Sequence, residues 1–324
     1  MKRVLLAVLV GAFAAGWVPD CLAAHDSIPP VPRKLWTRAA VCGTVTNFAY
    51  SVTRDGVAFE KPAKVYVPHG YDAPGNTQRY NVLYLMHGGG DNTSSFLLTP
   101  HGWLRLCDVL DHMIADKTIE PLLVVAPTFY DGENKKGAGD FKDATARTME
   151  FHRELRTALI PRVEAAYRTY YRELALSAPG KTDENINQTR AHRAFGGFSM
   201  GALTTWYQLI RDVAAVKYYI PLSGDIWHFT DGKRDDFTTT AKWVDSELEK
   251  SPYRNDFKVF AYTGTNDIAG EPERKIVEAL AESAPVFRYQ RPDANLFFAM
   301  REKGGHFYGD VNQYLYFALP RLWK

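Results

Sequence analysis

Six short apolar runs, each closed by a turn signal, constrain this chain more than any other feature. They are "YNVLYLM", "EPLLVVA", "HRAFGGF", "VKYYIPL", "FKVFAYTG" and "NLFFAM". Runs of this kind suit buried strands of a parallel sheet covered on both faces. Helix-period segments alternate with them: "WLRLCDVLDHMIAD", "ALTTWYQLIRDV", "ERKIVEALAES" and the terminal "DVNQYLYFALPRLW". A long helix is expected from about Ala144, because Phe151, Leu155, Leu159, Val163 and Tyr167 recur every four residues on one face. Pro161 lies inside it and predicts a kink. Two earlier segments, "CGTVTNFAYSV" and "AKVYVPHGY", read as strands. Strands alternating with helices mean an α/β fold with a mostly parallel central sheet flanked by helices. "LSAPGKTDENINQTR", within residues 172–190, is polar and reads as an exposed insertion.

Composition narrows the function. Hydrophobic residues make up 46% of 324, enough for a full core. The formal net charge is +2, with no long basic run, which argues against nucleic acid as a partner. Lys2 and Arg3 precede an apolar run from Val4 to Val18, with Ala23 and Ala24 following. That pattern predicts a signal peptide over residues 1–24 and a secreted or periplasmic product. The run is short for a membrane span, so no membrane association is expected after the leader is removed. Val18-Pro19-Asp20 is a poor lead-in to a lipidated Cys21. A Pro-rich arm over 25–40 and one domain over 41–324 complete the organisation. Cys42 and Cys107 allow either a disulfide or two buried thiols. Histidine and cysteine show no metal-ligand spacing, and no cofactor or metal is expected.

The chemistry centres on Gly197-Phe198-Ser199-Met200-Gly201, a G-x-S-x-G pattern between a predicted strand and a predicted helix. A serine nucleophile needs that strand–turn–helix context. The flanking glycines relieve collisions in a tight turn. The Met200 N–H opens the helix and can donate to an oxyanion. A serine hydroxyl needs a base, and with the order serine, acid, histidine only His228 and His306 follow Ser199. His306, in "EKGGHFYGD" after the last strand, is the preferred base. Asp267 in "TGTNDIAG" is the preferred acid, and Asp225 in "PLSGDIW" the other candidate, otherwise lining the pocket with Trp227. "HGGG" at His87–Gly90 offers a second oxyanion donor from Gly88 or Gly89, with Gly90 also placed to serve. Phe307, Tyr308 and Trp206 are further aromatic groups near these motifs, Trp206 reading chiefly as core.

"YLMHGGG", "GFSMGALTTWY", "YYIPLSGDIW", "TGTNDIA" and "GGHFYGDVNQYLYFALPRLW" resemble the feruloyl esterase modules attached to bacterial cellulosomal xylanases. These belong to carbohydrate esterase family one, within the esterase D-like α/β-hydrolases, and the resemblance covers roughly residues 40–324. It implies an α/β-hydrolase fold and a triad of Ser199, Asp267 and His306. It also implies hydrolysis of feruloyl or related hydroxycinnamoyl esters of a polysaccharide such as arabinoxylan. An acetyl esterase on xylan or other oligosaccharides, or an exported acyltransferase, would use the same triad. The intact triad disfavours a non-catalytic binding module. The sequence departs from the compact modules at 172–190, at Gly132–Asp143 and at Asp231–Trp243, where longer loops could reshape the pocket mouth. A histidine base predicts that ester hydrolysis falls as pH drops below roughly 6 to 7. A pH–rate profile flat down to about pH 4 would contradict it.

Overall fold

The computed structural model describes residues 28–54, 56–98, 105–131 and 141–324. The expected leader, the start of the arm and most of the loop after Asp131 lie outside the described residues. Among the described residues a 3-10 turn, Arg33–Trp36, precedes a hairpin of β1 (Thr44–Arg54) and β2 (Val57–Val67). Next come β3 (Asn81–Met86), α1 (Leu106–Ala115), β4 (Leu122–Ala126), α2 (Phe141–Glu154), α3 (Ile160–Ala166), α4 (Tyr170–Ser177) and α5 (Thr182–Gln188). The central unit is β5 (Arg193–Phe198), α6 (Met200–Asp212) and β6 (Tyr218–Leu222). A small hairpin, β7 (Phe229–Thr230) and β8 (Lys233–Arg234), leads into α7 (Phe237–Leu248). Then β9 (Lys258–Gly264), α8 (Gly270–Ser283), β10 (Leu296–Arg301) and α9 (Tyr308–Ala318) complete the described chain.

Eight strands form one sheet in the order β1-β2-β4-β3-β5-β6-β9-β10. β1 with β2 and β2 with β4 are antiparallel, and every other neighbouring pair is parallel. This is the mostly parallel sheet that the alternating pattern predicted, in the α/β-hydrolase arrangement that the resemblance implied. Successive residues of one strand enter opposite cores, since side chains alternate across a sheet. Val82, Tyr84 and Met86 face a layer holding Leu155, Leu203, Trp206 and Ile276. Leu83 and Leu85 face Val109, Met113, Val311 and Leu315 on the other side. That two-sided burial explains why these strands carry apolar runs without a polar face. Ile28, Val31 and Leu35, in the segment read as an arm, pack into the second layer. Among the described residues no helix is long and apolar enough to cross a membrane.

Three local expectations are refined. The long helix forms, with an irregular turn just before Pro161. A π-helical turn, Leu155–Leu159, lets the Ile160 N–H bond to Leu155 O just before the proline. The wide turn shifts the hydrogen-bond register where proline lacks a donor. Residues 172–190 are not a plain exposed insertion. They contain most of α4 and all of α5, and Ile186 and Arg190 are buried. Arg190 donates to the backbone oxygens of Val213 and Val216, which a polar composition conceals. The stretch Asp231–Trp243 is a tight turn followed by β8 and the first half of α7, capped by the Asp236 side chain on the Thr239 N–H. Cys42 and Cys107 are free thiols, bonded to the Ala39 and Leu97 oxygens.

A buried ion pair ties the sheet to α3. Arg193, at the start of β5, donates from Nε and Nη2 to the two oxygens of Glu164 at 2.6 and 2.9 Å. Tyr84 Oη donates to the same carboxylate at 2.8 Å, and Arg193 Nη1 donates to Ile186 O at 2.7 Å. Every donor is matched to an acceptor, so the desolvation of both ions is offset. Arg193→Met strands the Glu164 carboxylate and should destabilise the protein by about 3–5 kcal/mol in urea unfolding. Glu164→Leu together with Arg193→Met should recover much of that loss.

Candidate active site

Ser199 connects β5 to α6 at φ 57° and ψ −112°, a backbone region that side-chain-bearing residues rarely adopt. The strain persists because the turn is clamped on both sides. A Cβ on Gly197 would lie 2.7 Å from Met86 O, and a Cβ on Gly201 would fall onto that same oxygen. Only glycine permits the end of β3 to approach the first turn of α6 this closely. Ser199 is thereby pushed out of the turn, with α6 starting directly behind it.

Three predicted residues come together. His306 Nε2 lies 3.0 Å from Ser199 Oγ, and His306 Nδ1 lies 2.7 Å from Asp267 Oδ1. The imidazole packs against the Phe198 ring, with centroids 4.6 Å apart. Burial pushes the Asp267 carboxyl up, but the hydrogen bonds from His306 and the Ala269 N–H outweigh it and hold the group below the usual carboxylate range. His228, the other downstream histidine, lies on the β7–β8 hairpin, bonded to Asp235 Oδ2 at 2.6 Å and stacked on Trp243.

The glycine loop after β3 shows which N–H groups face the serine. Gly88 N–H, one expected oxyanion donor, is already donated to Tyr308 Oη at 3.1 Å. Gly90 N–H is donated to Tyr130 Oη at 2.9 Å. Gly89 N–H and Met200 N–H donate to no acceptor among the described residues, and both residues line the same cavity as Ser199. A Cβ on Gly89 would come within 3.1 Å of the Met200 side chain, so the two segments adjoin. Tyr308 is thus a brace between α9 and the glycine loop, with its hydroxyl also on Asp91, and not a stacking surface. Trp206 is fully buried and donates from Nε1 to Gly224 O at 3.0 Å, holding the loop after β6.

That loop shapes the pocket, a cavity of about 440 Å³. Tyr130, Met200, Leu203 and Trp227 give it apolar and aromatic walls, and Asp225 and Arg234 line it as well. Asp225 accepts from Trp227 Nε1 at 2.9 Å and is ion-paired with Arg234, whose guanidinium lies 5.5 Å from the Trp227 ring centroid. Burial pushes the Asp225 carboxyl up against the pull of Arg234. Such a pocket suits a mid-sized acyl group with a few polar substituents.

Sequence similarity and structural similarity agree with this geometry. No family model matches the chain. It is 35% identical over 294 residues, 90% of its length, to endo-1,4-beta-xylanase Y of Acetivibrio thermocellus. It is 32% identical over 170 residues, 50% of its length, to an endo-1,4-beta-xylanase/feruloyl esterase of Xylanibacter ruminicola. The chain spans 24% and 22% of the lengths of these two proteins. A solved mutant of the feruloyl esterase module from Clostridium thermocellum, complexed with sinapinate, superposes with a TM-score of 0.76 at 31% identity, over 92% of this chain and 94% of that one. The chain belongs to carbohydrate esterase family one, among the feruloyl-esterase-like α/β-hydrolases. A ferulic acid esterase of that family from the anaerobic fungus Anaeromyces mucronatus shares the fold, with a TM-score of 0.67 at 17% identity over 90% of this chain and 96% of that one.

Within this family member, sequence reasoning missed Tyr130, Arg234 and Glu273. Neither Tyr130 nor Arg234 belongs to a motif or has a spacing that singles it out. Glu273, in the first turn of α8, is fully buried behind the triad and accepts the Gly224 N–H at 3.1 Å. Burial, then the neighbouring Asp267 charge, pushes its carboxyl well above the ordinary range. The folded protein therefore keeps a proton on Glu273 that an unfolded chain releases above about pH 4.5, so this group lowers stability as pH rises. Glu273→Gln removes that dependence while keeping an acceptor for Gly224. Its stability relative to the native protein should rise between pH 5 and pH 7, by up to about 1.4 kcal/mol per pH unit in urea unfolding. A difference independent of pH would mean that Glu273 is ionised in the fold.

Proposed function

We propose that this chain is a serine esterase that hydrolyses feruloyl or related hydroxycinnamoyl esters of a xylan-type polysaccharide. The observation that carries the reading is the Ser199–His306–Asp267 relay, at 3.0 and 2.7 Å, opening on a cavity walled by Trp227, Tyr130, Met200 and Leu203. Ser199 Oγ attacks the ester carbonyl as His306 Nε2 takes its proton. Asp267 holds the imidazole tautomer and pairs with the imidazolium. The N–H groups of Met200 and Gly89 receive the oxyanion, each worth roughly 3 kcal/mol. His306 returns the proton to the departing sugar oxygen, and then activates water to release the acid. The relay itself calls for no metal or cofactor.

The acyl half is assigned on size and surface. An acetyl group would leave most of a cavity of about 440 Å³ unfilled, whereas a phenylpropenoyl group can lie against Trp227 and Tyr130. Asp225 and Arg234 then offer an acceptor and a donor to ring hydroxyl and methoxy oxygens. The similarity to a feruloyl esterase module complexed with sinapinate supports the same class. The predicted leader fits an enzyme that acts outside the cytoplasm, where a polymeric ester is accessible.

Purified protein should cleave methyl ferulate and methyl sinapate well ahead of acetylated xylan. Ser199→Ala should lower turnover by about a million-fold. The reverse substrate preference would reassign the acyl group to acetyl, and turnover by Ser199→Ala near the native rate would remove the serine mechanism altogether.

A further inference from the structure

The alcohol half of the ester needs a place of its own, and the proton path locates it. His306 Nε2 must reach the departing oxygen, so the alcohol lies beside His306, opposite the acyl walls. Two loops form the surface there, the one joining β9 to α8 and the one joining β10 to α9. They are fused by hydrogen bonds: Thr265 N–H to Arg301 O at 3.0 Å, Asn266 N–H to Gly304 O at 2.9 Å, and Lys303 N–H to Thr265 Oγ1 at 2.8 Å. Gly305 N–H to Asp310 Oδ2, at 2.6 Å, anchors the second loop to α9. The result is a rigid shelf beyond the strand ends.

The shelf carries an unusual pair of side chains. Among the described residues eight large hydrophobic side chains are exposed, and two of them directly follow triad residues in the chain. Ile268, after Asp267, is 81% exposed, and Phe307, after His306, is 55% exposed. Isolated exposed apolar residues are ordinary, but two flanking a reactive centre on a hydrogen-bonded shelf form a contact surface. Exposed Thr265, Asn266, Glu302 and Lys303 surround them with hydrogen-bonding groups. Ile268 and His306 also line the acyl cavity, so shelf and pocket are continuous. A sugar ring has this same duality, C–H faces that pack on apolar side chains and hydroxyls that bond to a polar rim.

We propose that this shelf is the subsite for the saccharide leaving group, with Phe307 and Ile268 as its apolar contacts. The assignment rests on the esterase reading above but not on the identity of the acyl group. A small alcohol such as methanol does not extend over the shelf, whereas a pentose oligosaccharide does. The enzyme thus separates its two halves of specificity, the acid in the cavity and the sugar on the loops.

The test compares Phe307→Ser, Ile268→Ser and the double variant with the native enzyme on feruloylated arabinoxylo-oligosaccharide and on methyl ferulate. The kcat/KM ratio of oligosaccharide to methyl ester should fall about tenfold in the double variant, mainly through KM. A ratio that stays at the native value, whether both activities fall together or neither falls, overturns the subsite. Failure of the native enzyme on methyl ferulate overturns the feruloyl reading instead. The ratio is then taken between acetylated xylo-oligosaccharide and 4-nitrophenyl acetate, and the same two outcomes apply to the shelf.

Discussion

The close approach of β3 and β5 to the first turn of α6 is the constraint on which the site depends. Gly197 and Gly201 bring backbone against the Met86 carbonyl, at a separation where any Cβ would collide. The packing forces Ser199 into its strained conformation and projects the hydroxyl beyond the sheet. It also starts α6 at Met200, so the positive end of the helix and an unengaged N–H sit beside the Ser199 hydroxyl. The strain is held by the surrounding layers, since α6 packs its Leu203, Trp206 and Leu209 into the core behind it.

Around that turn the parallel strands act as a ruler. β3, β5, β6, β9 and β10 all point the same way, so their carboxyl ends bring Gly89, Ser199, Asp225, Asp267 and His306 to one edge. Buried polar contacts then hold the loops to the scaffold. Trp206 fixes the loop after β6, Tyr308 fixes the glycine loop, and Glu273 joins α8 to Gly224. Each contact satisfies a backbone group that would otherwise be buried unpaired. The site is therefore held at its centre by contacts to the scaffold.

Much of this was legible in the chain itself. Apolar runs without a polar face announced a two-sided sheet, and the serine, acid and histidine motifs each ended a predicted strand. Elements with long apolar periods, such as α6 and α8, were found where expected. The errors fell where composition and packing disagree. Polar residues 172–190 were read as exposed, yet Arg190 and Asn185 are buried because each finds backbone acceptors. At Pro161 the proline was legible, but the π-helical turn that precedes it was not.

By itself the sequence determined the class of fold, the order of the motifs and the residue types offered to the chemistry, because periodicity and turn signals are local. Tertiary structure decided which of those groups are free to act. Gly88 and Gly89 are indistinguishable in "HGGG", yet the hydroxyl of Tyr308, 220 residues away, takes the N–H of one and leaves the other. Asp225 follows a strand just as Asp267 does, but Arg234 claims it and His306 claims Asp267. Such pairings depend on distances across the fold that no local pattern carries, and each is resolved only when folding brings groups from distant parts of the chain into contact.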